Sequence, residues 1–507
     1  MSETDSTAGS FPVQLDRAAE APLPVQLAAA LREAIDAATM RPGELVPATR
    51  ELARRLGVAR GVVVVAYEQL VAEGYLTATH GQGTRVNPAL ELVEPSAVVR
   101  DPAGADPDPE PAQAPEPLAP GQPITDSVVG PAWRSAWRAA AARVDVAPPA
   151  LGDPALRREI AEHLRRMRGT ARAATDVLVT AGTRDGLGLL LAALGGGRGR
   201  ELVVGVEDPG LPSLREAAKR HGARIVALPA DAEGLDTSRL PVGMLDAVIV
   251  TPSHQYPLGG SLPLPRRREL LAWARRAGVV VIEDDFDSEL RYTGSALPTL
   301  AALDDPQQGS VVLLGTFSRT VAPGVAAGYL LAPAGLRARI EPLRRELGGP
   351  VSGVVQAALA HYLASGELRR HTARMLRRYA ARRDAVSERL AGAAGVWVRP
   401  MDGGLHTVIE FTQGDSGGTG GNGGSGTSGN GGSGTGGNSG SGGGAAREAA
   451  VLAAARAEGL GVQGLAGYWQ RRDRAPGMTG LVLGLGGSDD AVFERALVRL
   501  RGILDTH

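Results

Sequence analysis

Four short runs in this chain of 507 residues gather side chains that can hold charge. Residues 181–186 (AGTRDG) offer Gly182, the hydroxyl of Thr183 and the guanidinium of Arg184. Residues 251–260 (TPSHQYPLGG) carry His254. Residues 282–292 (IEDDFDSELRY) carry Asp284 and Phe286, and residues 315–329 (GTFSRTVAPGVAAGY) carry Ser318 and Arg319. Their chemistry is ionic. A guanidinium stays protonated, with a pKa above about 12, so Arg184 and Arg319 pair with anions and cannot form an imine. Acids at a strand end cap loops or pair with arginine, and an Asp284–Arg319 ion pair is expected. His254 stands alone, with no Cys/His/Asp cluster of metal-ligand spacing beside it, so no metal site is expected. Cysteine is absent, and the one lysine, Lys219, sits in an ordinary amphipathic stretch.

The elements that must position these groups are legible as short β-branched runs between helical segments: 176–180, 201–205, 247–251, 279–283 and 310–315. Such runs predict an α/β fold with a mostly parallel sheet covered on both faces. The large domain is placed at 124–340. Residues 335–393 read as helical and arginine-rich, and the smaller C-terminal α+β subdomain is placed at 341–507. Residues 414–444 are nearly all Gly, Ser, Thr and Asn. They cannot bury a core and read as a disordered surface insertion, which costs only about 0.6 kcal/mol per doubling of loop length.

The first 87 residues have a different design. Leu27, Leu31 and Ile35 mark one face of a helix. Thr49 is placed as the cap of a second helix ending at Gly57. A third runs from Arg60 to Gly74 with Val63, Ala66, Tyr67, Leu70 and Val71 inward. Residues 75–79 and 84–86 then flank Gly81-Gln82-Gly83 as a hairpin. Helices joined by a tight glycine turn and followed by a hairpin form a winged helix-turn-helix over 11–87. Residues 88–123 hold ten prolines, seven acids and one arginine, which reads as an extended, solvated linker.

Composition excludes some classes. The net charge of −1 gives no global attraction to nucleic acid or membrane, and residues 11–87 balance eight arginines with eight acids. Only the local cluster Arg50, Arg54, Arg55 and Arg60 makes a positive face. No apolar run reaches the roughly 20 residues of a membrane helix, and the N-terminus has no signal-peptide pattern. A cytoplasmic protein without a membrane partner is expected.

The run PATRELARRLGVARGVVVVAYEQLVAEGYLTATHGQGTRV (47–86) resembles the GntR superfamily of bacterial regulators. The three charged runs from 251 onward resemble the fold-type-I aminotransferase domain fused to such modules in regulators of the MocR/GabR type. The resemblance implies double-stranded operator DNA as partner, contacted by Thr49, Arg50 and Arg60 and by the wing residues Gly81, Gly83 and Thr84. It implies a homodimer and a small-molecule effector. It also implies a pocket for pyridoxal 5'-phosphate, built around Gly182, Thr183, Arg184, His254, Asp284, Phe286, Ser318 and Arg319. Arg319 stands where the family has the imine-forming lysine, Phe286 where it has a tyrosine, Leu211 where it has a stacking aromatic, and Ala326 where it has a phosphate-binding arginine. Asp284 matches the carboxylate under the ring nitrogen. The expectation is therefore a regulator without covalent cofactor and without catalytic residues. The alternative is a pyridoxal-phosphate-dependent aminotransferase.

Overall fold

The computed structural model describes residues 15–19, 21–79, 83–90, 116–142, 147–196, 200–287, 289–294, 297–412, 441–470 and 478–507. The wing tip with Gly81, most of the linker and most of the glycine tract lie outside these residues. The chain divides into two units, 1–112 and 113–507.

In the first unit, α1 (Leu23–Asp36), α2 (Thr49–Leu56) and α3 (Arg60–Ala72) precede the hairpin β1 (Leu76–Thr79) and β2 (Gly83–Val86). Leu27, Leu31, Ile35, Leu52, Val63, Tyr67 and Leu70 close one core with Leu76 and Val86. Gly57 ends α2 at φ 64°, a left-handed turn that glycine adopts without strain. Two expectations need correction. Thr49 is not the cap: Ala48 holds that place and Thr49 opens the helix, its Oγ1 accepting from Arg60 Nε at 3.4 Å. Val71 is exposed, because α3 turns its outer face to solvent there.

In the second unit the strands are β3 (Val177–Thr180), β4 (Val203–Asp208), β5 (Arg224–Asp231), β6 (Gly234–Leu235), β7 (Ala247–Val250), β8 (Val280–Asp285), β9 (Val311–Thr316) and β10 (Gly328–Leu331). They form one sheet in the order β3-β10-β9-β8-β7-β4-β5-β6. Pairs from β9 through β8, β7 and β4 to β5 are parallel, while β10 runs antiparallel to both neighbours. Strand side chains alternate faces, and here both faces are buried. Val248, Val281 and Leu313 enter one core, and Ile249, Ile282 and Leu314 enter the other. Covering helices are α4 (Pro131–Ala141), α5 (Pro154–Arg168), α6 (Thr183–Gly195), α7 (Pro212–Arg220), α8 (Leu264–Ala277), α9 (Leu300–Leu303), α10 (Ala334–Leu347), α11 (Gly353–Ala364) and α12 (Glu367–Leu390).

A smaller sheet follows, with β11 (Val396–Val398), β12 (His406–Phe411), β13 (Gln463–Gly464) and β14 (Gly480–Gly484) in the order β11-β12-β14-β13. It packs with α12, α13 (Ser441–Ala457) and α14 (Asp490–Thr506). Residues 441–444, read as the end of the glycine tract, form the first turn of α13, a helix anchored by the buried Val451 and Ala455. The arginine-rich α12 does not turn all of its arginines to solvent. Arg382 is buried, bonds Leu485 O and Ser488 O, and lies over Phe493.

The linker ends earlier than composition suggested. Leu118 is fully buried, donates to Leu460 O at 2.9 Å and accepts from Gly484 N at 2.8 Å. Ile124 N donates to Tyr379 Oη at 2.8 Å. Proline content marks an absence of donors, but Leu118 and Ile124 are apolar anchors that bind this stretch to the body.

Candidate functional site: a cationic cavity at the sheet's C-terminal edge

The sheet edge defines the site. Asp284 and Asp285 end β8, and neighbouring residues of a strand face opposite ways. Asp285 is neutralised by Arg168 of α5, a fully buried guanidinium that also donates to Ser253 Oγ at 2.9 Å. Asp284 has no such partner. Its side chain is buried, and Oδ1 has no hydrogen-bond partner among the described residues. Burial, reinforced by the charges of Asp285 and Asp287, pushes its pKa up to about 8, against the opposing pull of Arg319. The expected Asp284–Arg319 ion pair is thus corrected. Arg319 is near enough to act on Asp284 electrostatically but not to bond it.

Arg319 instead faces a cavity of about 600 Å³. Its wall includes Arg184 at the start of α6, Arg220 at the end of α7, Phe286 just past β8, and Pro120 and Gly121 from the linker's inner end. The three guanidinium groups have no hydrogen bond or ion pair among the described residues. Glu216, on the same wall, is held by Lys219 at 2.9 Å and Arg215 at 3.2 Å, which keeps its carboxyl below the usual range. Gly121 lies beside Arg319. A Cβ there would sit 2.8 Å from Nη1, and the residue's φ of +86° also favours glycine.

Aromatic groups close the far side. The Tyr256 ring lies 4.3 Å from His406, 5.3 Å from Tyr468 and 5.8 Å from Phe286, centroid to centroid. His254 Nδ1 bonds Asp287 Oδ1 at 2.9 Å, and the His254 and His406 rings are 5.2 Å apart. Burial first, then the neighbouring His254, lowers the His406 pKa to about 3, so its ring is neutral. Glu207, buried beneath, is pushed up to about 7 by desolvation and donated to by Thr251 N at 3.2 Å.

Of the sequence-predicted pocket residues, Arg184, Phe286 and Arg319 line the cavity together. Asp284 borders a small adjoining cleft with Glu207 and Leu211. His254 is reached through Asp287 and His406. Gly182, with φ 110°, precedes α6, whose first turn has no side-chain cap, and Thr183 opens that helix. Ser318 is half-buried, its N–H donating to Thr316 Oγ1 at 3.1 Å. Sequence reasoning missed Gly121, Arg220, Tyr256, Asp287, His406 and Tyr468. It also read His254 as isolated, whereas folding brings His254, Asp287 and His406 together. Of the residues expected to contact DNA, Arg50 and Arg60 are exposed at the starts of α2 and α3, and Gly83 and Thr84 lie on β2. Gly61 and Val65 are exposed on α3.

The residues present can be tested against pyridoxal phosphate. The orphaned Asp284 oxygen suits a ring N–H, and the uncapped first turn of α6 beside Arg184 suits a phosphate. Covalent attachment does not fit. The chain's one lysine, Lys219, is half-exposed on α7, paired with Glu216, and absent from the cavity wall.

Residues 118–414 match the aminotransferase class I and II family, and residues 23–86 match the gntR family of bacterial regulatory proteins. The chain is 43% identical over 402 residues to the HTH-type pyridoxine biosynthesis transcriptional regulator PdxR of Corynebacterium glutamicum, covering 79% of this chain and 85% of that protein. It is 33% identical to the HTH-type transcriptional regulator TauR of Rhodobacter capsulatus, covering 70% and 77%. The probable rhizopine catabolism regulatory protein MocR of Rhizobium meliloti is 31% identical, covering 79% and 84%. Among solved structures, a kynurenine aminotransferase of Pyrococcus horikoshii superposes with a TM-score of 0.62 at 21% identity, covering 78% and 92%, which establishes the fold. The chain therefore belongs to the MocR-type regulators of the GntR family, in which a DNA-binding helix-turn-helix is joined to an aminotransferase-like domain.

Proposed function

We propose that the aminotransferase-like body of this regulator senses a small anion without a covalent bond, has no aminotransferase activity, and serves as the dimerisation domain of a cytoplasmic homodimer on operator DNA. The observation that carries this reading is the set of Arg184, Arg220 and Arg319 around one cavity, none paired with a carboxylate among the described residues. Arg319 is half-buried while Arg184 and Arg220 are exposed, and guanidinium groups converging on one cavity attract phosphate or carboxylate in two-point geometry. Arg319 occupies the position that carries an amine in the sequences it resembles, and a guanidinium offers charge there but no nucleophile.

The relative from Corynebacterium glutamicum is named for pyridoxine biosynthesis, so phosphorylated pyridoxine compounds are the first effectors to test. The linker's inner end offers a route to the DNA-binding unit. Gly121 lies beside Arg319, and an anion that draws Arg319 toward itself would act on that inner end of the linker. DNA contacts are assigned to Thr49, Arg50, Arg60, Gly83 and Thr84, with Gly81 at the wing tip. Calorimetric titration with pyridoxal 5'-phosphate and with inorganic phosphate tests the reading. Saturable binding that weakens at least tenfold in Arg319→Ala supports it. Binding unchanged in that variant, or turnover of an amino acid by the wild type, defeats it.

A further inference from the structure

The outward face of α3 carries little that can hydrogen-bond. At about 3.6 residues per turn, Gly61, Val64, Val65 and Glu68 share the face opposite Val63, Ala66 and Leu70, which enter the core of the first unit. Val62 packs against that core, while Val64 and Val65 are not part of it. Gly61 is exposed, Val64 is half-buried and Val65 is 50% exposed. Of the four outward residues only Glu68 has a polar side chain, and when ionised it accepts but does not donate.

Folding does not account for this face. Gly61 is the second residue of α3 and has no positive φ. Among the described residues, no heavy atom outside its own stretch of helix lies within 4 Å of where its Cβ would be. Glycine and valine are both poorer helix formers than alanine, and an exposed valine leaves its methyl groups in water. The helix thus keeps a missing side chain and uncovered methyl groups where an alanine or a polar residue would serve the fold better. A partner that comes close to the helix backbone and offers apolar atoms accounts for both.

Charge and topology commit the face to one partner. In a helix-turn-helix the second helix enters the major groove with its N-terminal residues at the base edges, and α3 holds that place after α2 and the Gly57 turn. Exposed arginines border the face at this end. Arg60 opens α3 and reaches Thr49 Oγ1 at 3.4 Å, and Arg50 follows Thr49. These cations suit the phosphate backbone. Inside the groove, the apolar group on a base edge is the C5 methyl of thymine. We propose that Gly61, Val64 and Val65 read thymine methyl groups in the major groove, Gly61 by leaving room for the helix backbone to come close and the valines by methyl-to-methyl contact. The proposal rests on operator binding by the first unit and not on anion sensing by the body.

The test selects preferred duplexes for the full chain from a random-sequence pool, then replaces each thymine of the selected site in turn by deoxyuridine, which lacks only the methyl group. The wild type should lose about three- to fourfold in affinity, the worth of one buried methyl group, at one or more thymines of each half-site. A Val64→Ala/Val65→Ala variant should bind the thymine and uracil duplexes alike, which separates a lost methyl contact from a change in the shape of the DNA. If that variant melts lower than the wild type, Val65→Ala alone, at a half-exposed position, carries the comparison. Gly61→Ala should melt no lower than the wild type, because its Cβ meets nothing, yet bind the selected duplex several-fold more weakly. Failure to bind any duplex removes the DNA-binding assignment and the proposal with it. A selected site without thymine, an affinity indifferent to every uracil, a uracil effect undiminished in the valine variants, or wild-type affinity in Gly61→Ala overturns the proposal alone and leaves DNA binding standing.

Discussion

Arg319 owes its behaviour to two neighbours. A Cβ at Gly121 would meet its guanidinium at 2.8 Å, and its positive charge opposes, without a bond, the burial that raises the pKa of Asp284. A lysine at 319 restores an amine but neither a hydroxyl at Phe286 nor a cation at Ala326. Arg319→Lys is therefore expected to bind pyridoxal 5'-phosphate no more tightly than the wild type in a spectroscopic titration, and a large gain in affinity would show that the lysine alone was missing. Asp284 makes a prediction of its own. Its folded pKa is about 8, above the ordinary carboxylate value, so the fold favours the neutral acid. Stability from this group is present below about pH 4 and is lost as pH rises through 8. Relative to the wild type, Asp284→Asn should gain melting temperature progressively from about pH 4 to about pH 8, and a constant difference across that range would contradict the burial account. At this scale the sequence revealed Arg184, Phe286 and Arg319, because each lies in a run of recognisable pattern. It hid Asp287 and His406, because their meeting with His254 depends on how β8 and β12 come together, which spacing along the chain does not encode.

At the scale of elements, the proposed function rests on helix starts and the linker's inner end. Arg50 and Arg60 stand exposed at the first turns of α2 and α3, where a guanidinium can reach phosphate. Replacing either by alanine should weaken operator binding and reduce the salt slope of binding by about 1, without changing which site is preferred. A loss of preference with an unchanged slope would instead assign that arginine to a base edge. Gly121→Ala places a side chain at positive φ against Arg319. It should cost about 1 kcal/mol or more of stability and reduce anion affinity, as thermal melting with and without phosphate would show. Strands with β-branched runs were legible before folding was considered. β10 was not read as a strand, because it enters antiparallel between β3 and β9 from a loop without that pattern. β5 was missed for a related reason: its burial is mixed, lacking the continuous apolar signal of its neighbours. Arginine content marks α12 as polar, but it does not show that Arg382 finds Leu485 O and Phe493 across the subdomain.

For the whole molecule, the account joins a family-defined DNA-binding unit to a body with an electrostatic pocket in place of a reactive one. Sedimentation should give a dimer, and protection of DNA should extend over two half-sites; a monomer on a single half-site contradicts the proposed assembly. Order and type of domains were readable from motifs alone. The placing of Leu118 and Gly121 in the body was not, since the proline-rich run concealed it. The central claim is that an anion at Arg319 alters DNA binding. Operator affinity, measured by fluorescence anisotropy on DNA upstream of the chain's own gene with and without saturating pyridoxal 5'-phosphate, tests it most directly. The wild type should shift by at least about 5-fold, within the usual range of allosteric coupling. Arg319→Ala should bind the operator like the unliganded wild type and show no shift. A wild-type affinity indifferent to the ligand, or an equal shift in Arg319→Ala, would contradict the account.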